Sequence, residues 1–253
     1  MKKIVEIRGC KIGEGIPKIC VPLLGGDVKT LCEEAEALVR AGADLAEWRI
    51  DWFEHWNESN LVVEALSELR GSLGEIPLLV TFRTKQEGGK TAIEPTQYLR
   101  LYECVLQSGQ ADLIDLELFM EEEIVSELVQ KAENADVRTI LSNHDFSRTP
   151  EKAELLRRLR KMEQLGADIA KIAVMPRNSE DVAVLLGVTS EASETMFCPV
   201  ITMSMGGQGV ISRMAGQIFG SAVTFGTVGQ ASAPGQIPLD RLKEILTLID
   251  SVQ

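Results

Sequence analysis

Apolar residues along this chain fall into short runs that alternate with longer amphipathic stretches. A run of about five apolar residues is typical of a buried strand, and apolar residues three to four positions apart are typical of a helix. The predicted strands cover residues 19–23, 45–51, 78–84, 113–118, 138–143, 169–174, 200–205 and 222–226. The predicted helices cover 27–40, 59–70, 95–107, 210–219 and 239–249, and three more begin near 121, 149 and 179. Thr149 is the expected N-cap of its helix, with Pro150 at the first helical position.

Eight strand–helix pairs in strict alternation predict a single (β/α)8 barrel that uses residues 1–253 as one catalytic domain. Residues 3–12, followed by Glu14 and Gly15, predict a β-hairpin ahead of the first barrel strand. An open doubly wound sheet is the alternative. It is disfavoured because no G-x-G-x-x-G motif follows the first strand.

Polar side chains recur at every second position of four predicted strands. The groups that share a face are Glu47, Arg49 and Asp51; Thr81 and Arg83; Asp115 and Glu117; and Ser142 and His144. In a barrel, alternate residues point outward to the helices and inward to the interior. These polar faces are therefore predicted to line the upper interior, where the active sites of this fold lie.

Lys171 stands in the middle of the apolar run 169–174, whose sequence is IAKIAV. A buried ammonium group is costly unless it is paired or has lost its proton. Two interpretations stay open at this point. Lys171 is either a structural residue that pairs with a carboxylate or reaches the strand end, or an amine that attacks a carbonyl carbon.

The chain has two histidines. His144 ends the fifth strand at the expected catalytic rim, where a histidine is suited to proton transfer. The alternative is a histidine that fixes this strand–loop corner by hydrogen bonds. His55 lies in a polar loop and is predicted to be a surface residue. Lys171 and His144 on neighbouring strands together favour imine chemistry, in which the iminium group acidifies the adjacent carbon.

The formal net charge is −12, which disfavours nonspecific attraction to nucleic acid or anionic membrane. An anionic substrate then requires arginines placed within the site. Arg49, Arg83 and Arg213 are candidates for binding a carboxylate or phosphate, although each is also able to pair with a nearby carboxylate. The glycine-rich loop 206–209 is a weak candidate for a phosphate site. The loop 226–238 is equally typical of a lid and of a plain connector.

Several other classes are disfavoured. Five scattered cysteines without C-x-x-C spacing predict a reducing compartment and neither a disulfide framework nor a zinc site. No signal-peptide core and no run of membrane-spanning length are visible, so we expect a cytoplasmic protein. No G-x-S-x-G nucleophile motif occurs. A magnesium site on Glu47, Asp115 and Glu117 stays open.

Seven segments, taken in order, resemble motifs of the type I 3-dehydroquinate dehydratase family. They are EWRID (47–51), TFR (81–83), EGG (87–89), IDLEL (114–118), SNHDF (142–146), KIAVMP (171–176) and SAPGQ (232–236). The resemblance covers essentially the whole chain, and the combination is highly specific. It implies a (β/α)8 barrel whose N-terminal hairpin closes the bottom, usually a homodimer, acting in the shikimate pathway without metal or cofactor.

The resemblance places the imine-forming lysine at Lys171, the general acid–base at His144 and the carboxylate that orients this histidine at Glu87. It implies substrate binding by Glu47, Arg49, Arg83, Arg213, Ser232 and Gln236, with Met203, Met205 and Phe225 as apolar walls. The chain departs from the family at Pro22, where relatives carry a serine that contacts the substrate. It also departs at Trp52, where some relatives carry histidine, and in the loop 206–209.

The implied reaction makes the chain a hydro-lyase. Lys171 forms an imine with the C3 ketone of 3-dehydroquinate, and His144 removes a C2 proton and returns a proton to the departing C1 hydroxyl. Hydrolysis of the imine then releases 3-dehydroshikimate. Two alternatives remain: a class I aldolase or transaldolase that binds a sugar phosphate, and a non-catalytic barrel that binds shikimate-type acids.

Overall fold

The computed structural model describes residues 3–252, in which eight parallel strands close into a barrel. The barrel strands are β3 (Lys18–Leu23), β4 (Leu45–Arg49), β5 (Leu78–Thr81), β6 (Leu113–Glu117), β7 (Arg138–Asp145), β8 (Ile169–Val174), β9 (Val200–Ser204) and β10 (Val223–Thr227). Each strand pairs with the next from β3 to β9, and β10 pairs with β3. The ring closes where the amide of Ala222 donates to the carbonyl of Val200. The predicted barrel is therefore confirmed, and the open doubly wound sheet is excluded.

Helices follow the strands and form the outer layer. They are α1 (Val28–Ala41), α2 (Ser59–Leu73), α3 (Pro95–Ser108), α4 (Glu122–Asn134), α5 (Lys152–Gln164), α6 (Ser179–Thr195), α7 (Ile211–Met214), α8 (Gly216–Phe219) and α9 (Leu239–Asp250), with a short strand β11 (Ile237–Pro238) before α9. Local signals set their ends: Asp27 caps α1 by accepting from the amide of Thr30, and Gly42 ends it in a left-handed conformation. Among the helices of residues 3–252, none has the length and apolar content that a membrane span requires.

Outward-facing strand residues such as Trp48, Ile114 and Ile172 are buried beneath the helices. Two tyrosines of α3 reach through this layer to the strand ends. The hydroxyl of Tyr102 donates to the carbonyl of Asp115 and accepts from the amide of Phe82, while the hydroxyl of Tyr98 accepts from the amide of Glu117. These bonds fix the upper ends of β5 and β6, on which polar inward side chains are carried.

The bottom of the barrel is closed by the antiparallel hairpin of β1 (Val5–Ile7) and β2 (Cys10–Ile12). Its buried side chains pack on the lowest inward residues of the eight strands, namely Cys20, Leu45, Leu79, Leu113, Ile140, Ile169, Ile201 and Val223. The hairpin expected from residues 3–12 is thus confirmed. The interior is apolar and filled at this end, so the polar inward residues are confined to the other end.

Two predicted strands end earlier than the sequence pattern indicates. After Arg49 the chain enters a 3-10 helix, Ile50–Trp52, and after Thr81 it leaves β5 and reaches a second 3-10 helix, Lys85–Glu87. Asp51 accepts two hydrogen bonds from the guanidinium of Arg49, at 2.7 and 2.8 Å, and this local fork replaces strand pairing. Asp51 and Arg83 nevertheless stay buried, so their predicted inward placement holds beyond the strand ends.

Two helix predictions are wrong in detail. Thr149 does not cap α5, which begins at Lys152, because its hydroxyl donates to the carbonyl of Met175 at 3.1 Å instead. The helix predicted for residues 210–219 is broken into α7 and α8 at Ala215. The break brings Gly216 against the carbonyl of Ser221, 3.1 Å from where its Cβ would lie, so the chain turns there rather than continuing.

Candidate active site

A cavity of about 470 Å³, open to solvent, lies at the C-terminal ends of the barrel strands. It is lined by all twelve residues for which the family resemblance implied a catalytic or binding role: Glu47, Arg49, Arg83, Glu87, His144, Lys171, Met203, Met205, Arg213, Phe225, Ser232 and Gln236. Gly88, Phe146, Ala173 and Ala233 complete the lining. His55 lies elsewhere, half-exposed and hydrogen-bonded to Glu58, as a surface residue.

Lys171 projects into the cavity from β8 and is only 3 % exposed. Its Nζ lies 3.0 Å from Oδ2 of Asp115 and 3.6 Å from Oε1 of Glu47. The ring of Phe225 lies on another side, with its centroid 4.5 Å from Nζ. Lys171 therefore pairs with a carboxylate and also lines the cavity. The carboxylate and the ring of Phe225 compensate the cost of burying its charge, and Nζ stays accessible to a ligand.

Asp115 belongs to the site although the sequence singled it out only as an inward residue and a possible magnesium ligand. It is fully buried, and its Oδ1 accepts from Ser142 Oγ at 2.5 Å and from Arg83 at 2.7 Å. Burial acts to raise the pKa of Asp115, but Arg83 and then Lys171 outweigh it and hold the pKa well below the usual range. Asp115 is thus a fixed anion beside the amine of Lys171.

The guanidinium group of Arg83 donates hydrogen bonds to buried side chains of the protein. One guanidinium nitrogen donates to Glu117 at 2.9 Å and to Ser142 at 3.0 Å, and the other donates to Asp115. In residues 3–252 no group of three His, Cys, Asp or Glu side chains is arranged to hold a metal ion. Because Asp115 and Glu117 are both bound by Arg83, the magnesium interpretation has no support in these side chains.

His144 and Glu87 form a hydrogen-bonded pair at the rim. The His144 Nδ1 lies 2.9 Å from Oε2 of Glu87, and the backbone amide of His144 donates to the same oxygen at 2.8 Å. The other oxygen of Glu87, Oε1, accepts from Asn143 Nδ2 at 2.9 Å. With Glu87 ionised, the proton of the ring lies on Nδ1 and the lone pair of Nε2 is free.

Burial perturbs both members of this pair. It lowers the pKa of His144 well below 6.5, with the positive charges of Arg83 and Lys171 acting in the same direction. Burial, followed by the charge of Glu117, raises the pKa of Glu87 to about 8. His144 is therefore an uncharged imidazole near neutral pH, and its Nε2 becomes free to act as a general base once Glu87 has lost its proton.

The three candidate arginines differ in their partners. Arg49 is paired with Asp51, and Arg83 with Asp115 and Glu117. Arg213 is 1 % exposed, and within the described part of the chain no carboxylate lies within 4 Å of it. Its contacts are the Met203 sulfur at 3.9 Å and the Pro234 carbonyl at 3.1 Å, and burial lowers its pKa to about 10. A buried cation that no carboxylate of the described residues pairs with is suited to bind an anionic ligand in the cavity.

The loop between β5 and α3 places Glu87 over the cavity by folding back on itself. The amide of Gly89 donates to the carbonyl of Thr84 at 2.8 Å, and the amide of Lys90 donates to Asp51 at 3.0 Å. A Cβ atom at Gly89 would lie 1.8 Å from the carbonyl oxygen of Arg83. Only glycine allows this close approach, so the EGG segment is explained by local packing.

The SAPGQ segment covers the cavity near Arg213. The amide of Ser232 donates to Gln236 Oε1 at 2.8 Å, and Gln236 Nε2 donates to Ser232 Oγ at 3.1 Å. The carbonyl of Pro234 accepts from both Arg213 and the amide of Gly206. The bonds of Pro234 connect the segment to Arg213 and to the loop at Gly206. Movement of the segment as a lid stays a prediction.

Packing accounts for Gly209 in the glycine-rich loop 206–209, while a phosphate site there stays a prediction. A Cβ atom at Gly209 would lie 2.2 Å from the carbonyl oxygen of Ser204, so this position admits no side chain. The α7 helix that follows has only four residues and does not present an extended N-terminus.

Known proteins match this chain over almost its full length. A family model described as type I 3-dehydroquinase matches residues 19–253. A 3-dehydroquinate dehydratase of Bacillus licheniformis is 50 % identical over 250 residues, covering 98 % of each chain. A 3-dehydroquinate dehydratase of Listeria welshimeri is 48 % identical over 249 residues, again covering 98 % of each chain.

Solved structures agree with these sequence matches. The type I 3-dehydroquinate dehydratase of Clostridium difficile, solved with covalently modified comenic acid, has a TM-score of 0.97 and 47 % identity, with 100 % of both chains covered. The 3-dehydroquinate dehydratase of Geobacillus kaustophilus has a TM-score of 0.96 and 42 % identity, covering 98 % of this chain and 97 % of its own.

Proposed function

The chain belongs to the type I 3-dehydroquinase family, and on this basis we propose that its cavity converts 3-dehydroquinate into 3-dehydroshikimate through an imine on Lys171. The protein is then a hydro-lyase of the shikimate pathway. The observation that carries the proposal is one cavity that holds a buried lysine, a histidine whose pKa is lowered by burial, and a buried arginine with which no carboxylate of residues 3–252 pairs. These groups supply, respectively, the amine, the base and the carboxylate anchor that the reaction needs.

Imine formation begins with the ammonium group of Lys171, which gives one proton to His144. The neutral Nζ attacks C3, and one amine proton then moves to the C3 oxygen to give a carbinolamine. His144 then returns its proton to this hydroxyl, which leaves as water, and an iminium remains. Asp115 and Glu47, at 3.0 and 3.6 Å from Nζ, stabilise the positive charge of the iminium.

Elimination uses the same base. His144 removes a proton from C2, and the electron pair of the broken C–H bond flows into the iminium to give a neutral enamine. The protonated His144 then gives its proton to the C1 hydroxyl, which leaves as a second water while the enamine electrons restore a conjugated iminium. A single base that serves both atoms accounts for syn elimination. Hydrolysis by one water releases the enone and regenerates Lys171.

Binding groups orient the ring for these steps. We assign the C1 carboxylate to Arg213, and the ring hydroxyls to Glu47, Arg49, Ser232 and Gln236, with the charge of Arg83 behind them. Met203, Met205 and Phe225 form the apolar walls. Closure of the segment 232–236 over the substrate would exclude bulk water and strengthen these contacts.

Borohydride trapping tests the proposal directly. Incubation with 3-dehydroquinate should produce a rising enone absorbance, and reduction during turnover should leave an adduct on the peptide that contains Lys171. Lys171→Met should give no adduct, whereas replacement of the exposed Lys29 by methionine should leave trapping unchanged. An adduct formed only with phosphosugars would support an aldolase instead, and binding without turnover would support a non-catalytic barrel.

The remaining features of the proposal rest on the family and the sequence. We propose a homodimer in the cytoplasm in which residues 1–253 act as one catalytic domain. The iminium of Lys171 is itself the electron sink, so neither a metal nor an organic cofactor is required for the elimination. Activity that survives exhaustive treatment with a chelator would support this, and loss that a divalent metal restores would contradict it.

A further inference from the structure

Arg158 is a buried charged residue that the proposed mechanism does not use. Arg158 lies on the inner face of α5, between the fully buried Leu155, Leu159 and Met162, and is 9 % exposed. A position on this face is expected to be apolar, because it packs against the outer surface of the barrel. A buried guanidinium here requires partners that compensate its charge.

The partners of Arg158 form a chain of hydrogen bonds that ends at the catalytic pair. Arg158 Nε donates to Glu154 Oε1 at 2.7 Å, and its Nη1 donates to Asn143 Oδ1 at 2.7 Å. Asn143 Nδ2 in turn donates to Glu87 Oε1 at 2.9 Å. Asn143 points away from the cavity on β7, so it connects the helix layer with the carboxylate that orients His144.

The donors and acceptors in this chain of hydrogen bonds fix the orientation of the Asn143 side-chain amide. An arginine only donates hydrogen bonds, so the Asn143 atom that faces Arg158 must be the amide oxygen. The amide nitrogen then faces Glu87, which obliges Oε1 of Glu87 to accept. The backbone amide of His144 makes the same demand on Oε2. Both oxygens of Glu87 are thus surrounded by donors, which favours the carboxylate form and a proton on His144 Nδ1.

We propose that Asn143 and Arg158 are positioning residues that keep Glu87 a hydrogen-bond acceptor and thereby hold His144 in the tautomer with Nε2 free to act as a base. The proposal rests on the function proposed above for His144 and Glu87. Neither Asn143 nor Arg158 lines the cavity, so both act only through Glu87.

Several other charges act on the pair and are not themselves changed by substitution of Asn143 or Arg158. They are Arg83, Glu117, Lys171, Asp115 and Arg49 around the cavity. Glu154 lies beyond Arg158 and is bonded to it. The donor from Asn143 lowers the pKa of Glu87 against the larger effect of burial. Loss of this donor should therefore raise that pKa further and make the base form of the pair appear only at higher pH.

Arg158→Leu and Asn143→Asp break the chain in different ways. Leucine preserves packing beside Leu155 and Leu159 but leaves Asn143 free to rotate. Aspartate differs from asparagine little in size, retains the bond to Arg158 and replaces the donor to Glu87 by an acceptor. The rising limb of kcat/KM against pH should move to higher pH by about one unit in Arg158→Leu and further in Asn143→Asp.

Arg157→Leu is the matched control. Arg157 donates to the same Glu154, at 2.7 and 2.9 Å, but is exposed and does not reach Asn143. Its pH profile should coincide with that of the wild-type protein. A role limited to folding would lower the amount or the kcat of Arg158→Leu without moving the limb.

Nitrogen NMR of the histidine rings gives a readout independent of turnover. The chain has only two histidines, so His55→Asn leaves the signals of His144 alone. The wild-type ring should reach the Nδ1–H tautomer at lower pH than the rings of Arg158→Leu and Asn143→Asp. Coincident tautomer titrations in these proteins and in Arg157→Leu would overturn the proposal. Failure of the wild-type protein to turn over 3-dehydroquinate would overturn the proposed function instead. The tautomer titration of His144 would still decide whether Asn143 and Arg158 position Glu87.

Discussion

The lower and upper layers of the barrel interior come from the same strands, two residues apart, yet they are built on opposite principles. The lower residue and its upper neighbour are Leu45 and Glu47 on β4, Leu113 and Asp115 on β6, Ile140 and Ser142 on β7, and Ile169 and Lys171 on β8. The lower layer packs on the hairpin, whereas the upper layer is a network of ion pairs. The inward face of each of these strands thus has two functions along its length: apolar packing at the bottom and polar contacts at the top.

The difference shows what a buried charge needs. In the upper layer Asp115 is shared between Arg83, Ser142 and Lys171, so its charge and those of Arg83 and Lys171 have partners at hydrogen-bond distance. In the lower layer a charge would meet only aliphatic side chains and the thiol of Cys20. Ion pairs in a low-dielectric interior are costly to assemble, and hydrophobic burial contributes more reliably to stability. We therefore expect the upper layer to determine activity and the lower layer to determine stability.

Lys171→Met separates the layers most sharply. Lys171 is the only amine among the described residues that line the cavity, so its loss should reduce turnover by at least about 10⁴-fold. Asp115 keeps Arg83 and Ser142, so the unfolding temperature should change little. Steady-state enone formation and calorimetry measure the two effects. A variant that lost both activity and most of its stability would show that the upper layer also holds the fold together.

Ile169→Ala makes the reciprocal change two residues away on the same strand. Removing this fully buried side chain should lower the free energy of unfolding by about 2–5 kcal/mol, through lost burial and the cavity left behind. Activity per folded molecule should stay within a few-fold of the wild-type value. Urea unfolding gives the free energy, with the exposed Leu248→Ala as a control expected to change it by less than about 0.5 kcal/mol.

The pH dependence of turnover sharpens the comparison further, since Glu87 and His144 both lie at the upper end of the barrel. Loss of the Glu87 proton, with a pKa of about 8, leaves the ring proton on Nδ1 of His144 and frees Nε2. The value of kcat/KM should therefore rise about tenfold per pH unit below this pKa and level off above it. Glu87→Gln should abolish this limb. A limb that persisted unchanged in Glu87→Gln would assign the titration to another group.

Ile12→Val tests the hairpin with the smallest change. Deletion of one methylene from this fully buried residue should lower the free energy of unfolding by about 0.5–1.5 kcal/mol and leave kcat and KM unaltered. The half-exposed Ile4→Val provides the comparison. A change in KM would mean that the bottom of the barrel communicates with the mouth.

Alternation of apolar and polar residues was enough to predict the barrel, the inward stripes and the neighbouring placement of Lys171 and His144. Those features depend on strand parity and order, which the sequence carries directly. The partnership of Asp115 with Lys171 was not predicted, because it depends on the register between β6, β7 and β8 and on which charges meet across the interior. Arg158 was missed for a related reason: a helix pattern reports which face is buried but not what a long side chain reaches.

The close approach at Gly89 has a consequence for the genetics of this enzyme. When a substitution is harmful because it collides with a neighbouring side chain, a second substitution that shortens the neighbour restores the fit. At Gly89 the colliding atom is the carbonyl oxygen of Arg83, which every amino acid carries. Intragenic suppressors at position 83 are therefore unavailable, and a selection for revertants of Gly89→Ala should recover glycine itself.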